Sequence, residues 1–114
     1  MDYPNRLRSL GLNDARFAEG AVEPVDVKSL ELEAKTLELV RLAALVAVGG
    51  AVPSYGAQAD SAVNAGATAA EIVDVLVGVI PVVGLPCVVA AAPKLALALG
   101  YDLDDDALER QPAE

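Results

Sequence analysis

The sequence predicts an all-α fold of about five to six helices. Three observations support this: apolar residues recur three and four positions apart, a capping box opens the most apolar segment, and glycines follow the helical patterns. Hydrophobic residues make up 54% of the chain, mostly Ala, Val and Leu, and there is no Trp. We therefore expect one small domain whose helices pack closely around small aliphatic side chains.

The chain is predicted to have three segments. Residues 1–28 are rich in turn-forming residues and are predicted to form an N-terminal arm. Within it we expect a short helix over 14–19, with Asn13 as its N-cap. Residues 29–101 form the predicted helical domain. Residues 102–114 form an acidic C-terminal tail whose last residues should fray.

The helical domain opens with a helix predicted over 33–48. Lys35, Glu38 and Arg41 recur three positions apart on one side of it. After Arg41 the segment is apolar all round, so its second half should be buried. The pair Gly49-Gly50 ends it, as glycine commonly does past a helix C-terminus.

Two further helices follow from turn and capping signals. One starts near Pro53, because proline suits a first turn, and runs to Asn64. Thr68 and Glu71 then form a capping box, in which each side chain satisfies a backbone N–H of the other. The box predicts a helix that Pro81 kinks or ends.

The last helix is predicted over 86–99, with Pro93 as an internal bend and Gly100 closing it. Two alternatives apply to this half of the chain. The uncharged run between 74 and 94 is long enough for a membrane span, but prolines interrupt it. The Val-rich run 73–90 could form strands, but it lacks period-two alternation. Helices are therefore favoured.

Charge and cysteine content restrict the partners and the compartment. The net charge of −9 disfavours nucleic acid and anionic membranes. The single cysteine, Cys87, allows no intrachain disulfide and fits a reducing cytoplasm. The opening Met-Asp-Tyr-Pro has no basic region before an apolar stretch, so no signal peptide is expected. The wide apolar stripe predicts a homo-oligomer.

One motif resembles a known family. It consists of Leu37-Glu38-Leu39-Val40-Arg41-Leu42-Ala43, an apolar helix to Gly49-Gly50, a short helix to Asn64-Ala65-Gly66-Ala67-Thr68, and Glu71-Ile72. This arrangement, over roughly residues 30–100, resembles the core of the carboxymuconolactone decarboxylase and alkylhydroperoxidase D-like family. The resemblance implies an alkylhydroperoxidase D-like helical bundle that assembles as a homotrimer or homohexamer.

The redox residues of that family are missing here. Peroxidase-type members carry C-x-x-C-x-x-x-H at the start of the short helix. Counted back from Gly66, the cysteine positions fall on Ala51 and Ser54, and the histidine position falls on Gln58. A serine hydroxyl is a far weaker acid than a thiol, and a glutamine does not titrate. The resemblance therefore implies a divergent member, in which these residues exclude the disulfide-dependent peroxidase mechanism.

A polar set survives at the corresponding positions. The resemblance implies Glu38 as the catalytic proton-transfer residue, with Ser54, Tyr55 and Gln58 binding substrate. The activity would be that of a lyase or isomerase on a small carboxylate or carbonyl compound, without cofactor or metal. The alternative is a non-catalytic protein, either a ligand-binding module or a structural oligomer.

Each candidate residue also has a plainer structural interpretation. Glu38 can pair with Arg41 on the helix surface. Ser54 can satisfy helix-terminal N–H groups, and Gln58 can be a hydrogen-bonded residue between surfaces. Tyr55 is favoured as a packing residue.

Three features outside the motif have two interpretations each. Cys87 is favoured as a small buried hydrophobe, although a thiol peroxidase using this cysteine alone is a third functional hypothesis. Lys94 could meet an anionic substrate or the carboxylate of a neighbouring subunit. The run Asp104-Asp105-Asp106 could suggest a cation site, but a solvated acidic run is favoured.

Overall fold

The computed structural model describes residues 3–12 and 30–100. Over these residues it contains α-helices and no strand, which confirms the all-α prediction and makes the strand alternative for 73–90 wrong. The helices are α1 (Tyr3–Gly11), α2 (Ala34–Val48), α3 (Val52–Asn64), α4 (Ala69–Val83) and α5 (Leu85–Ala98). The predicted helix over 14–19 with its cap, and the tail 102–114, lie outside the described residues.

The chain divides into two compact units, Met1–Glu33 and Ala34–Glu114. In the first unit, α1 occupies a stretch for which the sequence indicated only turns, and that expectation is wrong. Pro4 and Gly11 are the reason, because proline fits the first turn of a helix and glycine fits its end. Tyr3, Leu7 and Leu10 are spaced four and three positions apart, which is a short apolar stripe that could have indicated this helix, although none of its residues is buried.

The helices of the second unit lie close to their predicted positions. α2, α3 and α5 begin and end within one residue of the predicted bounds. α4 differs, because it continues through Pro81 to Val83 and is not ended by that proline. Pro81 is exposed and lies in the last turn, where its missing N–H removes one hydrogen bond and the following residues complete the helix.

The start of α4 has the predicted capping box. The backbone N–H of Glu71 donates to Thr68 Oγ1 at 3.1 Å, and the backbone N–H of Thr68 donates to Glu71 Oε1 at 2.9 Å. Lys35 Nζ also donates to Glu71 Oε2 at 3.1 Å, so the same carboxylate links α2 to α4. At the other end, Gly84 alone separates α4 from α5 and has φ +88°, which glycine adopts without steric cost.

Small aliphatic side chains form most of the core of the second unit, as predicted. Tyr55 is the largest fully buried side chain, followed by Leu42, Ile72 and Leu95, and α3 and α5 make the most extensive contact between helices. The buried cluster comprises Leu42, Val46, Tyr55, Ala59, Ala62, Ala67, Ile72, Leu76, Val88, Ala91 and Leu95. A fully buried Leu or Ile side chain contributes about 1.5–3 kcal/mol relative to leaving it in water.

The uncharged run between Asp74 and Lys94 is divided between α4 and α5, with the turn at Gly84 between them. Among the helices that the structure describes, none has the length and apolar character needed to cross a membrane.

Candidate functional site

Glu38, Arg41 and Gln58 form a hydrogen-bonded group between α2 and α3, called here the Glu38 cluster. Gln58 Nε2 on α3 donates to Glu38 Oε2 at 2.8 Å and to the backbone oxygen of Glu38 at 3.0 Å. Arg41 Nη1 donates to Glu38 Oε1 at 2.9 Å. Both oxygens of the Glu38 carboxylate therefore have a partner.

Within the cluster, the Glu38 side chain is more shielded from solvent than that of Arg41. The Glu38 side chain is 14% exposed, whereas that of Arg41 is 42% exposed. The surface pairing of Glu38 with Arg41 is confirmed. Gln58 is hydrogen-bonded, but to a residue of its own chain, and its expected place at an interface stays a prediction. Gln58 holds the carboxylate and the α2 backbone with one amide group, so the three residues join two helices.

Ser54 lies apart from this arrangement. It is exposed in the first turn of α3. Ala51 is the N-cap residue of α3, and no side chain there makes a capping hydrogen bond. The expectation that Ser54 satisfies helix-terminal N–H groups is therefore wrong, because Ser54 lies inside the helix with its own N–H donating to the Ala51 oxygen at 3.0 Å.

Tyr55 is buried, with 1% of its surface exposed, and its predicted packing role is confirmed. Its hydroxyl donates to the backbone oxygen of Leu45 at 3.5 Å, which is long for a hydroxyl donor. Burial raises the pKa of Tyr55, because the charged phenolate would be poorly solvated, and the nearby charge of Cys87 raises the pKa further.

Tyr55 borders a cleft between the end of α2, the start of α3 and one face of α5, called here the tyrosine cleft. Its volume is about 150 Å³. Its walls are Val46, Ala47, Val48, Gly49, Tyr55, Cys87, Ala90, Ala91 and Lys94. Neither Glu38 nor Gln58 lines this cleft, so the structure brings two of the four predicted residues together and places Tyr55 at a different cavity.

Two polar residues of α5 complete the cleft. Lys94 Nζ donates to the backbone oxygen of Gly50 at 2.8 Å, across 44 positions of sequence. Cys87 is half-buried rather than fully buried, and its thiol is free. From the sequence, Cys87 and Lys94 were interpreted as unrelated residues. Their seven-residue spacing, which places both on one face of a helix, was the signal that would have joined them.

No group of three or more His, Cys, Asp or Glu side chains in the described parts of the chain is arranged to hold a metal ion. The run Asp104-Asp105-Asp106 lies outside those residues.

The sequence profile of the Carboxymuconolactone decarboxylase family matches residues 13–96, well over half of the chain. The matched range includes α2, α3, α4, the Glu38 cluster and the tyrosine cleft. No curated protein and no solved structure matches the chain significantly.

Proposed function

The chain belongs to the carboxymuconolactone decarboxylase family, and on this premise we propose that it is a non-redox, non-catalytic member that works as a self-associating binding module. The positions of the family's cysteines and histidine hold Ala51, Ser54 and Gln58. These side chains supply neither a thiolate nor a titrating proton carrier. We also propose a reducing cytoplasm as its location, because its only cysteine allows no stabilising intrachain disulfide.

The main support for this proposal is that both oxygens of the Glu38 carboxylate already accept hydrogen bonds from other side chains. A general base needs a lone pair within hydrogen-bond reach of a substrate proton, and each donor already bound to a carboxylate occupies one lone pair and lowers its basicity. Here Gln58 holds one oxygen at 2.8 Å and the Arg41 guanidinium holds the other at 2.9 Å. The Glu38 cluster therefore supports a structural role, in which it fixes α2 against α3.

The exposed faces of α4 and α5 support self-association. Large apolar side chains with 44–86% of their surface exposed follow one another along both helices. They are Val73, Val77, Val82, Leu85, Val89 and Leu97, among which Val73 and Val77 on α4, and Leu85 and Val89 on α5, are four positions apart and share a helix face. Patches of this kind mark interaction surfaces in small proteins. We propose that a second copy of the chain covers them, in a homotrimer or homohexamer.

A second candidate function is that of a cofactor-free lyase or isomerase acting on a small carboxylate or carbonyl compound. The observation that favours it is the shielding of Glu38, whose side chain is only 14% exposed and lies beside the Gln58 amide. On this hypothesis Glu38 transfers the proton and Gln58 orients the substrate. The exposed Ser54 and the cleft-lining Tyr55 would then have to approach the same ligand.

One pair of measurements separates the two candidates: decarboxylation of carboxymuconolactone as a function of pH, and stability to urea. We expect carboxymuconolactone to be decarboxylated no faster in the presence of the protein than in buffer alone. We expect Gln58→Leu to lower the free energy of unfolding by about 1–3 kcal/mol, because it leaves a shielded carboxylate without its amide partner. Asp60→Asn, at an exposed position of α3, is the matched control and should change stability by less than about 0.5 kcal/mol.

The non-catalytic proposal is overturned by saturable turnover that Glu38→Gln abolishes while that variant stays folded. If Gln58→Leu is as stable as Asp60→Asn, the proposed role of the Glu38 cluster in fixing α2 against α3 is contradicted. In the first case the lyase or isomerase hypothesis replaces the non-catalytic proposal.

A further inference from the structure

The tyrosine cleft gathers three polar groups that the Glu38 cluster does not use. These are the hydroxyl of Tyr55, the thiol of Cys87 and the ammonium of Lys94. They come from α3 and from one face of α5. The rest of the wall is apolar or backbone, so a ligand in the cleft would meet a few polar groups in an aliphatic surrounding, as is usual for small-molecule sites.

Lys94 provides a fixed positive charge at one side of the cleft. Its ammonium has three N–H donors, and one of them is held by the Gly50 oxygen at 2.8 Å. This contact satisfies a carbonyl just past the end of α2 and anchors the long side chain. The remaining donors are available to an anion.

Tyr55 provides a buried donor whose present hydrogen bond is poor. The side chain is 1% exposed, and the hydroxyl lies 3.5 Å from the Leu45 oxygen. Hydroxyl donors ordinarily lie about 2.7–2.8 Å from their acceptors, so this buried group gains from a closer acceptor. Cys87 lines the same cleft from α5.

The size and walls of the cleft restrict what it can hold. Its volume of about 150 Å³ is below the roughly 300–1,000 Å³ of sites for drug-sized ligands, so the cleft fits only a small molecule. Val46, Ala47, Ala90 and Ala91 provide aliphatic walls. The matching ligand is therefore short, carries an aliphatic portion, and has an anionic group for Lys94 and a second oxygen for Tyr55.

We propose that the tyrosine cleft binds a small aliphatic carboxylate that carries a carbonyl or hydroxyl group. The carboxylate accepts hydrogen bonds from Lys94, and the second oxygen accepts one from Tyr55. The half-buried thiol of Cys87 lies against the bound molecule and makes no covalent bond to it. This site goes beyond the proposed function, since it uses none of the residues of the Glu38 cluster and does not require self-association.

The experiment uses the full chain and 2-oxobutanoate as the probe, with the uncharged 2-oxobutanamide as its matched comparison. Binding is followed through changes in the NMR amide signals during a titration. A second readout is the rate at which a thiol reagent alkylates Cys87. We expect saturable shifts for the amides of Val48–Gly50 and Ala90–Lys94, and slower alkylation in the presence of 2-oxobutanoate. The neutral amide should bind at least about tenfold more weakly, because it lacks the charge-assisted hydrogen bond.

Three variants assign the binding to the cleft. Lys94→Met keeps the aliphatic stem and removes the charge, so it should weaken binding about tenfold or more. Lys35→Met removes a charge at the Glu71 pair instead, and should bind as the unchanged protein does. Tyr55→Phe keeps the ring and removes the hydroxyl, so it should weaken binding several-fold. If Lys94→Met proves unstable, Tyr55→Phe still tests whether the ligand binds in the cleft.

The proposal is overturned by any of three results. The first is that 2-oxobutanoate produces no saturable shifts. The second is that it binds equally to the unchanged protein, Lys94→Met and Tyr55→Phe, which would place binding elsewhere. The third is that the neutral amide binds as tightly as the carboxylate, which would contradict the anionic class.

Discussion

Tyr55 is at once the largest fully buried side chain and a titratable one, and this combination has a consequence for stability at alkaline pH. Its pKa is raised above the ordinary 10.0, first by burial and then by the charge of Cys87. The unfolded chain therefore loses this proton at lower pH than the folded chain does. The stabilisation is complete below pH 10 and is lost as the pH rises towards the raised folded value.

We expect Tyr55→Phe to remove that alkaline loss of stability. At neutral pH the variant should differ by less than about 1 kcal/mol, because the hydrogen bond that it removes is long. The measurement is the free energy of unfolding in urea on either side of pH 10. Tyr3→Phe, at a position that is 81% exposed, is the control and should keep the alkaline dependence. An equal alkaline loss in both variants would contradict the assigned cause.

At the residue scale, prediction from sequence succeeded where partners follow from a motif or a short spacing. Glu38 and Arg41 are three apart on one helix, and the family resemblance brought Glu38 and Gln58 to one site. It failed for Lys94 and Gly50, because nothing in a linear pattern indicates a contact across 44 positions. It failed for Ser54 because Ala51 is the N-cap residue, so the serine hydroxyl lies inside the first turn and makes no capping hydrogen bond.

At the element scale, the Thr68–Glu71 box makes the start of α4 depend on pH. The pKa of Glu71 lies below its ordinary 4.5, first because its carboxylate accepts from the Thr68 backbone N–H, and then because it accepts from Lys35. A lowered folded pKa contributes stability that is fully present above pH 4.5. This contribution is lost as the pH falls through the lowered value.

We expect Glu71→Gln to flatten the acid side of the stability curve, because it removes the group whose protonation differs between folded and unfolded chains. Thr68→Ala should lower the free energy of unfolding by about 1 kcal/mol at neutral pH, through loss of the cap. Thermal unfolding at several pH values measures both. Asp74→Asn, at an exposed position of the same helix, is the control for removal of a charge. Acid sensitivity unchanged by Glu71→Gln would refute this role.

Helix positions were predictable in the second unit because local and long-range signals agree there. Glycines past the last turn, a proline in the first turn of α3 and the capping box fixed most ends to within a residue. α1 was missed because its markers, Pro4 and Gly11, have the same residue types as turns. Pro81 was misread as a possible end because the rule for proline applies less strictly in a last turn.

At the scale of the whole molecule, the apolar faces of α4 and α5 predict assembly. We expect the unchanged protein to have a mass in solution of several times the 11.7 kDa of one chain. Val77→Lys and Val89→Lys each place a charge on a side chain about 60% exposed in the single chain. Burying that charge against a second copy costs several kcal/mol, so each variant should shift towards the mass of one chain. Light scattering after size exclusion measures this.

Ser61→Lys is the control for the assembly experiment, since it adds the same charge at an exposed position of α3. It should keep the assembled mass. A mass of 11.7 kDa for the unchanged protein at every concentration would contradict self-association. Self-association through these faces would also be contradicted if Val77→Lys and Val89→Lys both kept the assembled mass expected for Ser61→Lys.

The alanines where α3 meets α5 limit how this protein can diverge. Ala59 and Ala62 of α3 and Ala91 of α5 are at most 2% exposed and belong to the same buried core, so the space for their side chains is limited to a methyl group. Any larger side chain would force the helices apart, at about 1–3 kcal/mol for an overpacked core. Glycine, the one smaller choice, costs a helix about 1 kcal/mol. Descendants of this sequence can therefore change these three alanines very little, whereas the exposed faces of α4 and α5 can change only as far as a second copy of the chain still packs against them.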